Sequence, residues 1–553
     1  MNARALLLMT ACLCGLFCSR VVQAQEQTAT TKQPNIVFCF ADDWGLYASC
    51  YAKLGIGHGQ INDVVKTPNI DQLANSGVLF TNAYVNAPSC TPCRSALLSG
   101  RHFWETGRGA ILQGAIWEET IPTYPLELKA AGYHLGCSHK VWSPGSPANA
   151  PYGAKKHAYN KAGGEINYYS QFVTKQLSQG SSRDDAHDVV MSHVRENFQM
   201  CLADAQKAKA PFCYWFGPTN CHRKWVKGSG KALWNIDPNQ LEGKLPRFWP
   251  DVSAIREDIA DYLGEVQAFD AAVGVLIEEL KQAGKWDSTI LIVSGDHGIP
   301  GFPRGKCTLY DTGIHVPLLI TGPGIPGSRV VEDFVSLSEI APTLLQATSA
   351  KIPAEMSARP FWDVLTSAQS GLVDRTRNFV VAGRERHVAE IRHDRLPYPE
   401  RCVRTATHLY IRRYHPDRWP MGFAPAGYGL LQPQMPGFEE LENKTIVAFG
   451  DMDAGPTKAW MIEHRQDAEI RHWFQLGFGL CPEEELYDLK ADPDCLKNLA
   501  GSADHQYLRS TMAQTLLEVQ MRTGDPRVTE TPPRYELPPF TNGMGNRKPA
   551  KAR

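Results

Sequence analysis

An excess of charge of either sign is missing from this 553-residue chain, in which 57 Lys and Arg residues stand against 58 Asp and Glu residues. A balanced chain exerts little long-range attraction on a polyanion, so the composition argues against nucleic acid and anionic membranes as partners. An anionic substrate would therefore have to be held by local charges.

Long apolar runs are also missing beyond the N-terminus, so the sequence predicts no membrane span in the mature protein. The first residues, MNARALLLMTACLCGLFCSRVVQAQEQ, combine a basic residue, an apolar run and a small residue at position 24. This pattern is typical of a secretory signal peptide over residues 1–24, cleaved after Ala24. A short membrane anchor and a lipoprotein cleaved at Cys12 or Cys18 are the alternatives. We expect an exported protein that is periplasmic or secreted.

A second Cys-x-x-Cys pair is missing as well, although the stretch APSCTPCRSALLSGRH contains one at Cys90 and Cys93. A structural zinc site needs two such pairs, so the single pair argues against zinc. A redox pair would start a helix in a compact thioredoxin-like unit, and a disulfide across two residues would be strained. Of the 15 cysteines, three fall in the predicted signal; among the others, Cys481 and Cys495 flank a short loop and are candidate disulfide partners.

What the sequence does contain is an alternation of helices with short buried strands. NIVFCFA, PFCYWFG and TILIVSG read as strands, TPNIDQLANSG reads as a short helix, and apolar residues recur at helical spacing from Ile255 to Leu280. Such alternation predicts an α/β sandwich around a mostly parallel sheet over residues 34–375. Residues 376–525 change to alternating strands and a final helix, which predicts a smaller α+β subdomain. Residues 526–553 form a Pro-rich, basic tail that is either a surface strap or disordered.

Four of the predicted strands are each followed by polar or charged residues. These residues are Asp42 and Asp43, Lys140, His222, and Asp296 with His297. Because sites in open α/β sheets form beyond the carboxyl ends of the strands, we expect these side chains to converge. Three carboxylates that meet there would repel one another, and a divalent cation would offset the repulsion.

Cys90 has a third interpretation, in which it is a nucleophile in an anion-binding cradle. Pro92 suits the first turn of a helix that RSALLSG continues, which puts Cys90 at the helix N-terminus. Free N–H groups and the helix dipole favour anions there. Arg94 lies one turn further on and can reach back as a fixed cation.

These motifs together resemble the type I sulfatases. The Cys-x-Pro-x-Arg stretch at residues 90–94, followed by SALLSGR, is similar to the signature of that family. Further blocks match the family in order: PNIVFCFADDWG, TPNIDQLANSGVLFTNAYVNAPS, AAGYHLGCSHKVW, SGDHG, KCTLYDTGIHVPLL and ELYDLKADPDCLKNLA. The resemblance implies an alkaline-phosphatase-like α/β sandwich with a large mixed, mostly parallel sheet flanked by helices, plus a smaller C-terminal α+β subdomain with an antiparallel sheet. Within the family, GRERH and CVRTATHLYIRRY look most like the heparan N-sulfatase branch.

The resemblance implies that Cys90 is converted to formylglycine by a formylglycine-generating maturation enzyme. The hydrated aldehyde carries two hydroxyls on one carbon: one attacks sulfur, and the other later loses its proton and expels sulfate by C–O cleavage. The resemblance also implies one divalent metal, with the following ligands: Asp42, Asp43, residue 90, Asp296 and His297. The implied metal is Ca2+ in preference to Mg2+ or Mn2+, although calcium prefers oxygen ligands to histidine.

Four further residues match catalytic positions of the family. Arg94 would hold the hydrated aldehyde, and Lys306 would grip the sulfate and the leaving oxygen. His222 would protonate the leaving group. Lys140 matches the lysine of the family's Gly-Lys-x-His, but here His139 replaces the glycine and a tryptophan replaces the histidine.

We therefore predict a sulfuric ester hydrolase that removes sulfate from a sulfated carbohydrate, either an O-sulfate or an N-sulfate. Arg384, Glu385, Arg386 and His387 cluster at the start of the smaller subdomain, where they could meet a sugar's carboxylate and hydroxyls. Of these, Arg384, Glu385 and His387 are the predicted sugar ligands, and a solvated charge run is the competing interpretation. Two other functions stay open: a phosphatase or phosphonate monoester hydrolase on the same scaffold, and a non-catalytic exported glycan-binding protein.

Overall fold

The computed structural model describes residues 33–423 and 435–543, and the described residues from Pro34 onwards form one compact unit. The predicted signal peptide and residues 544–553 of the predicted tail lie outside these ranges.

The strands of the described residues are short. They are β1 Asn35–Ala41, β2 Val78–Phe80, β3 Ala83–Tyr84, β4 His134–His139, β5 Phe212–Gly217, β6 Thr289–Gly295, β7 Leu318–Thr321, β8 Arg329–Val331, β9 Val335–Ser336, β10 Phe379–Arg384, β11 Glu400–Thr405, β12 His408–Arg413 and β13 Glu484–Asp488. The α-helices are α1 Ser49–Ala52, α2 Pro68–Ser76, α3 Cys90–Ser99, α4 Tyr124–Ala130, α5 Tyr169–Ser178, α6 Arg183–Ala208, α7 Ser229–Trp234, α8 Ser253–Gln282, α9 Asp311–Ile314, α10 Ile340–Ala347, α11 Trp362–Thr366, α12 Phe438–Asn443, α13 Pro456–Glu463, α14 Arg471–Phe478, α15 Gln506–Arg522 and α16 Pro526–Thr529.

The larger sheet has the strand order β4-β5-β1-β6-β7-β2-β8. β7 runs antiparallel to both of its neighbours, and the other pairs are parallel. The predicted mixed, mostly parallel sheet is therefore confirmed. β1 and β6 lie at its centre and are buried along their whole length, as expected for strands that are covered on both faces.

Alternate residues of β1 point to opposite faces of this sheet. Val37 and Cys39 join the core that contains the apolar residues of α8, whereas Ile36 and Phe38 join the core that contains those of α3. The period of two along the strand thus divides the interior into two layers. The sheet is fixed from both sides, and its carboxyl edge is a rigid base for the loops that follow the strands.

The second sheet has the order β10-β11-β12-β13, and all its neighbours are antiparallel. Apolar residues of α15 pack against it, with Leu516 and Val519 in one cluster with Val403 of β11. The predicted antiparallel sheet and final helix are confirmed, whereas the domain boundary near residue 376 stays a prediction. Residues 526–543 of the predicted tail lie against this region, and the Tyr535 hydroxyl donates a hydrogen bond to the Trp104 carbonyl at 3.0 Å.

The cysteines are all unpaired in the part of the chain that the structure describes. The candidate disulfide between Cys481 and Cys495 is therefore wrong for this structure, in which each residue is a separate thiol. Among the described residues, none of the helices combines the length and apolar character needed to cross a bilayer.

Candidate active site

Two adjacent strands, β1 and β6, deliver carboxylates to the same point at the edge of the larger sheet. The chain leaves β1 through Asp42 and Asp43 and leaves β6 through Asp296, and the backbone N–H of Asp43 donates to Asp296 Oδ1 at 2.7 Å. Asp43 has a φ of 62°, a left-handed conformation that aspartate tolerates better than most residues. This turn places its carboxylate beside the neighbouring strand, and all three carboxylates are buried.

Cys90 is the first residue of α3, as the sequence predicts, and Pro92 lies in the first turn. Its Sγ is 3.3 Å from His297 Nε2 and 3.8 Å from Asp43 Oδ1. Burial, reinforced by Asp42, raises the pKa of the Cys90 thiol above its usual range. The side chain at position 90 therefore lies among the metal-ligating candidates and is held as a neutral thiol.

Three cations surround the carboxylates. Arg94 donates to Asp296 Oδ2 at 2.9 Å and to Asp42 Oδ1 at 3.0 Å. Lys140 Nζ contacts both oxygens of Asp42, at 2.6 and 2.8 Å. Burial alone would raise the pKa of Asp42, but Lys140 and Arg94 outweigh it and hold that pKa well below its usual range.

Lys306 lies between two carboxylates, Asp43 Oδ2 at 2.9 Å and Asp453 Oδ2 at 3.2 Å. Burial opposes the charge of Lys306, but these two partners prevail and raise its pKa well above the usual range. The lysine is therefore a permanent cation at neutral pH. Its ammonium group is a preformed ligand for an anion that enters the site.

Four candidate metal ligands converge. The ligand atoms of Asp43, Cys90, Asp296 and His297 all lie within 4.8 Å of one another. A second group joins Asp42 and Asp43 to His222, so Asp42 is the one predicted metal ligand outside the tight cluster. In this structure its two oxygens contact Lys140 instead.

The tautomer of His297 tests whether a metal fits. His297 Nδ1 is 3.2 Å from the Gly298 carbonyl oxygen, so the Nδ1–H donates a hydrogen bond to that oxygen and the lone pair lies on Nε2. That lone pair faces Asp43 Oδ1 at 3.2 Å and Asp296 Oδ1 at 3.5 Å. Acceptors directed at one another at these distances require a cation or a proton between them. The donor set therefore fits a divalent metal, with two carboxylates and one imidazole nitrogen oriented by its backbone partner.

His222 lies on the open side of the cluster. Its side chain is 35% exposed, and Nε2 is 3.9 Å from Asp43 Oδ2. The Nδ1 atom is 2.8 Å from the Arg223 carbonyl, so Nδ1 carries the proton that is donated there. The Nε2 atom is thus the one that faces the centre, on a ring that is partly exposed to solvent.

His387 is the one predicted sugar ligand that the structure brings to the centre. Its Nδ1 is 2.8 Å from the hydroxyl of Ser89, the residue before Cys90. Burial lowers the pKa of His387 to about 3, so the ring is neutral at physiological pH.

The other two predicted sugar ligands, Arg384 and Glu385, do not reach the centre. The Arg384 guanidinium is buried and donates to the backbone carbonyls of Cys307 and Pro420. Glu385 is equally buried and accepts hydrogen bonds from Arg401 and Arg527. Both side chains serve internal contacts, and we do not retain them as substrate ligands. The solvated charge run that competed with this assignment is wrong too, because neither residue is exposed.

His139 does not reach the centre either. Its Nδ1 is 2.9 Å from Asn167 Nδ2, and its ring lies beside Phe216 with 5.8 Å between centroids. Lys140, the next residue, points to Asp42. The second histidine of the family's motif is therefore not replaced by His139.

Asp453 is the residue that the sequence analysis missed. It follows the second sheet's β12 in the chain, in a loop before α13, yet its carboxylate contacts Lys306 at 3.2 Å. Burial would raise its pKa, but Lys306 and His222 outweigh it and lower it. No periodic pattern precedes this residue, so only the GDMDAGP stretch, with two acids in a Gly-rich loop, could have signalled it.

Comparison with known proteins places this geometry in a family. A model of the sulfatase family matches residues 34–350, more than half of the chain. The chain belongs to the sulfatase family. It is therefore a sulfuric ester hydrolase, and the resemblance inferred from the motifs is confirmed.

Individual sulfatases align with nearly the whole chain. The human N-sulphoglucosamine sulphohydrolase is 27% identical over 525 residues, which cover 89% of this chain and 91% of the human protein. An ulvan-active sulfatase of Formosa agariphila is 23% identical over 90% of this chain and 78% of its own length.

Solved structures share the fold at lower identity. An enzyme in complex with its substrate D-glucosamine-2-N,6-O-disulfate has a TM-score of 0.58 at 17% identity, covering 90% of this chain and 100% of that one. The phosphonate monoester hydrolase of Agrobacterium radiobacter has a TM-score of 0.57 at 17% identity, covering 89% and 96%. The scaffold is thus common to enzymes of two chemistries, and the choice between them rests on the residues of the site.

Proposed function

We propose that this sulfatase removes sulfate from a sulfated carbohydrate, with residue 90 as formylglycine and one divalent metal, Ca2+, at the carboxylate cluster. The observation that carries the proposal is the convergence of residue 90 with the cluster of Asp43, Asp296 and His297 beneath three fixed cations. The neutral thiol supports the modification, because burial keeps Cys90 from becoming the thiolate that a cysteine nucleophile needs.

The metal site would consist of Asp43, Asp296 and His297, together with residue 90, and Asp42 would join it once Lys140 moved to an incoming sulfate. Bound there, the divalent ion would supply a Lewis acid that lowers the pKa of a hydroxyl on residue 90 and offsets the charge of a sulfate oxygen. The protein's own part is to orient the ligands and to exclude water. Both oxygens of Asp296 are already fixed by the Asp43 N–H and by Arg94.

The three cations would hold the substrate. Arg94 is fixed by two carboxylates and would position residue 90. Lys140 and Lys306 each have an ammonium group with three donors, and each can turn from its carboxylate partner towards a sulfate oxygen. The pKa of both lysines is raised because Asp42 and Asp43, respectively, overcome the effect of burial, so both stay charged.

His222 would give a proton to the leaving group. Its Nδ1 is held by the Arg223 carbonyl, its Nε2 faces the centre, and its side chain is 35% exposed. The nitrogen can therefore take a proton from solvent and pass it to the bridging oxygen or nitrogen of the substrate. Lys306 and His222 overcome the effect of burial on Asp453 and lower its pKa, so Asp453 keeps a negative charge near this histidine.

A carbohydrate is the substrate class that the relatives support. The human relative acts on N-sulphoglucosamine and the Formosa relative on ulvan, both of which are sulfated sugars. The proposal covers both O-sulfate and N-sulfate, because the same nucleophile and metal would serve either leaving atom. We also propose export through the N-terminal signal and modification of Cys90 by a formylglycine-generating enzyme during maturation.

A desulfation panel with purified, matured protein tests the proposal. It pairs sulfated glucosamine, algal oligosaccharides and aryl sulfates with the matching phosphate esters. We expect sulfate release from a saccharide, with the activity lost in Cys90→Ala. Cys90→Ser is the matched control, because it retains one hydroxyl and lacks the second, so it should release at most one equivalent of the desulfated product per protein. Cleavage of the phosphate esters alone would establish the rival chemistry, and binding of the saccharides without any hydrolysis would establish the glycan-binding alternative.

A further inference from the structure

Two arginines near the active site have no carboxylate partner. Arg386 is 2% exposed, yet its guanidinium donates only to the carbonyl oxygens of Asn542 at 2.8 Å and Gln113 at 2.7 Å. Arg108, which is half-buried, donates to the Gly114 carbonyl at 2.6 Å. Neither guanidinium forms an ion pair within the described residues, and the Nε of each is buried without a hydrogen-bond partner there.

The two guanidinium groups face a common point. A Cβ placed on Gly114 would be 3.0 Å from Arg386 Nη2 and 3.8 Å from Arg108 Nη2. Gly114 is partly exposed and has a φ of 86°, a conformation in which a side chain would be strained. Both guanidinium groups thus approach the same glycine, Arg108 from a half-buried position and Arg386 from the interior, and a side chain at position 114 would crowd Arg386.

The surrounding acids act on this pair only from a distance: Glu118 favours the charge of Arg108, and Glu390 and Asp451 favour that of Arg386, but among the described residues none of them forms an ion pair with either guanidinium. Glu390 is bonded to Arg395 at 2.8 Å, and Glu118 is exposed and reaches the backbone N–H of Arg108 rather than its guanidinium. Burial and the nearby charge of Arg108 together lower the pKa of Arg386 to about 10. A buried cation that has no contacting counter-ion and lies near a second cation destabilises the protein without a bound anion. Binding of an anion between the two cations would remove this unfavourable free energy.

The pair is linked to the catalytic centre by its backbone. The carbonyls of Arg386 and His387 accept hydrogen bonds from the N–H groups of Leu112 and Gln113, at 3.0 and 3.1 Å. The His387 ring in turn contacts Ser89, directly before residue 90. The stretch that carries Arg386 therefore also contacts the segment that leads into residue 90.

We propose that Arg108 and Arg386 form a second oxyanion site, which binds a sulfate or carboxylate group other than the one that is hydrolysed. This inference rests on the proposed function for its source of anions, since a polyanionic saccharide would bring both groups. Free inorganic sulfate has the same chemistry and is the other source. A guanidinium pair offers the planar, multiple donors that such oxyanions accept.

The saccharide arm of the test compares glucosamine with one sulfate and glucosamine with two. We expect the wild type to have the lower KM for the disulfated sugar, and Arg108→Gln and Arg386→Gln to raise that KM about tenfold while the value for the monosulfated sugar stays constant. Arg395→Gln is the matched control, because this arginine lies close by and is already paired with Glu390. Arg108→Gln, on the half-buried partner, keeps the test decisive if Arg386→Gln does not fold.

The second arm uses inorganic sulfate and calorimetry. If the wild type binds sulfate at two sites and each arginine variant binds it at one, the result would support the proposed site and show that free sulfate is a ligand for it. The proposal is overturned if both variants, folded and with unchanged melting temperature, retain the wild-type ratio of KM values and the same number of sulfate sites. Hydrolysis of the monosulfated sugar tests the proposed function separately, and the calorimetric arm remains informative even if that hydrolysis is absent.

Discussion

Glu385→Gln separates a structural role for this buried acid from a role in sugar binding. Glu385 accepts from Arg401 Nη2 at 2.8 Å and from Arg527 Nε at 3.0 Å, and the side chains of all three residues are at most 1% exposed. The amide would retain the shape of the carboxylate but not its charge. Two buried guanidinium groups would then lose one of their acidic partners.

The expected loss of stability depends on the ion pairs that Arg401 and Arg527 keep in the variant. Breaking a buried ion pair by removing one partner destabilises a protein by about 3–5 kcal/mol. Here Arg401 keeps Asp525 at 2.7 Å, and Arg527 keeps Glu536, so neither cation is left alone. We therefore expect a loss near the lower end, about 3 kcal/mol in the free energy of unfolding.

Chemical denaturation measures the free energy, and steady-state hydrolysis of a sulfated saccharide measures KM. Glu390→Gln is the matched control, because Glu390 and its partner Arg395 are 59% and 45% exposed, and surface pairs contribute at most about 1 kcal/mol. We expect Glu385→Gln to unfold at lower denaturant concentration with an unchanged KM in the fraction that is folded. A variant of wild-type stability whose KM rises severalfold would refute this reasoning and return Glu385 to the sugar site.

Three further predictions concern the centre and the fold. In matured protein, mass spectrometry of the peptide that contains residue 90 should show an aldehyde that a hydrazide traps, and full activity with an intact Cys90 thiol would contradict the proposed nucleophile. Asp296→Asn should lower metal content and activity together, with a rate reduced about 100-fold or more, because the carboxylate is both a candidate metal ligand and the partner of Arg94. Unchanged activity of the wild type after exhaustive chelation would exclude the metal. Burial lowers the pKa of His315 from an ordinary value of 6.5 to about 4, so its contribution to stability should be complete above pH 6.5 and decline as the pH falls from 6.5 to 4. Between pH 7 and pH 5, the free energy of unfolding should therefore fall less in His315→Gln than in the wild type, as measured by chemical denaturation. An equal fall in both proteins would contradict this assignment.

The sheet and its charged edge could be predicted from the sequence because their signals are local. β1 is a continuous apolar run that ends in two aspartates, and β6 is another that ends in Asp296 and His297, so the strands and the residues after them are read together. Parallel pairing then brings the two ends to one edge without further information. Cys90 at the start of α3 follows in the same way from Pro92 and the helical residues after it.

The contacts that could not be predicted join distant parts of the chain. Glu385 looks like a member of an exposed charge run until Arg527, which lies 142 residues further along, is placed beside it. Asp453 has no strand or helix pattern to mark it, and its role depends on the approach of its loop to Lys306. A charged side chain has the same local sequence signal whether its partner is water or a remote ion, so burial of this kind is decided only by tertiary packing.

The net charge of the centre gives the argument for sulfate over phosphate. The acids there are Asp42, Asp43 and Asp296, which are buried, and Asp453, which is partly buried; the cations are Arg94, Lys140 and Lys306. With the imidazoles of His222 and His297 left out of the sum, four negative and three positive charges leave these protein groups at −1, which repels an anion, whereas one divalent ion would change the sum to +1. A sulfate monoester carries one negative charge and brings this total to zero. A phosphate monoester dianion would leave a buried negative charge without a partner, and Coulomb interactions at these short distances make such an excess unfavourable by several kcal/mol at an effective dielectric constant of about 20. Asp453 would thus contribute to the choice of ester together with the proposed metal ligands, and we expect Asp453→Asn, which would raise the sum to +2, to shift the preference towards the phosphate dianion.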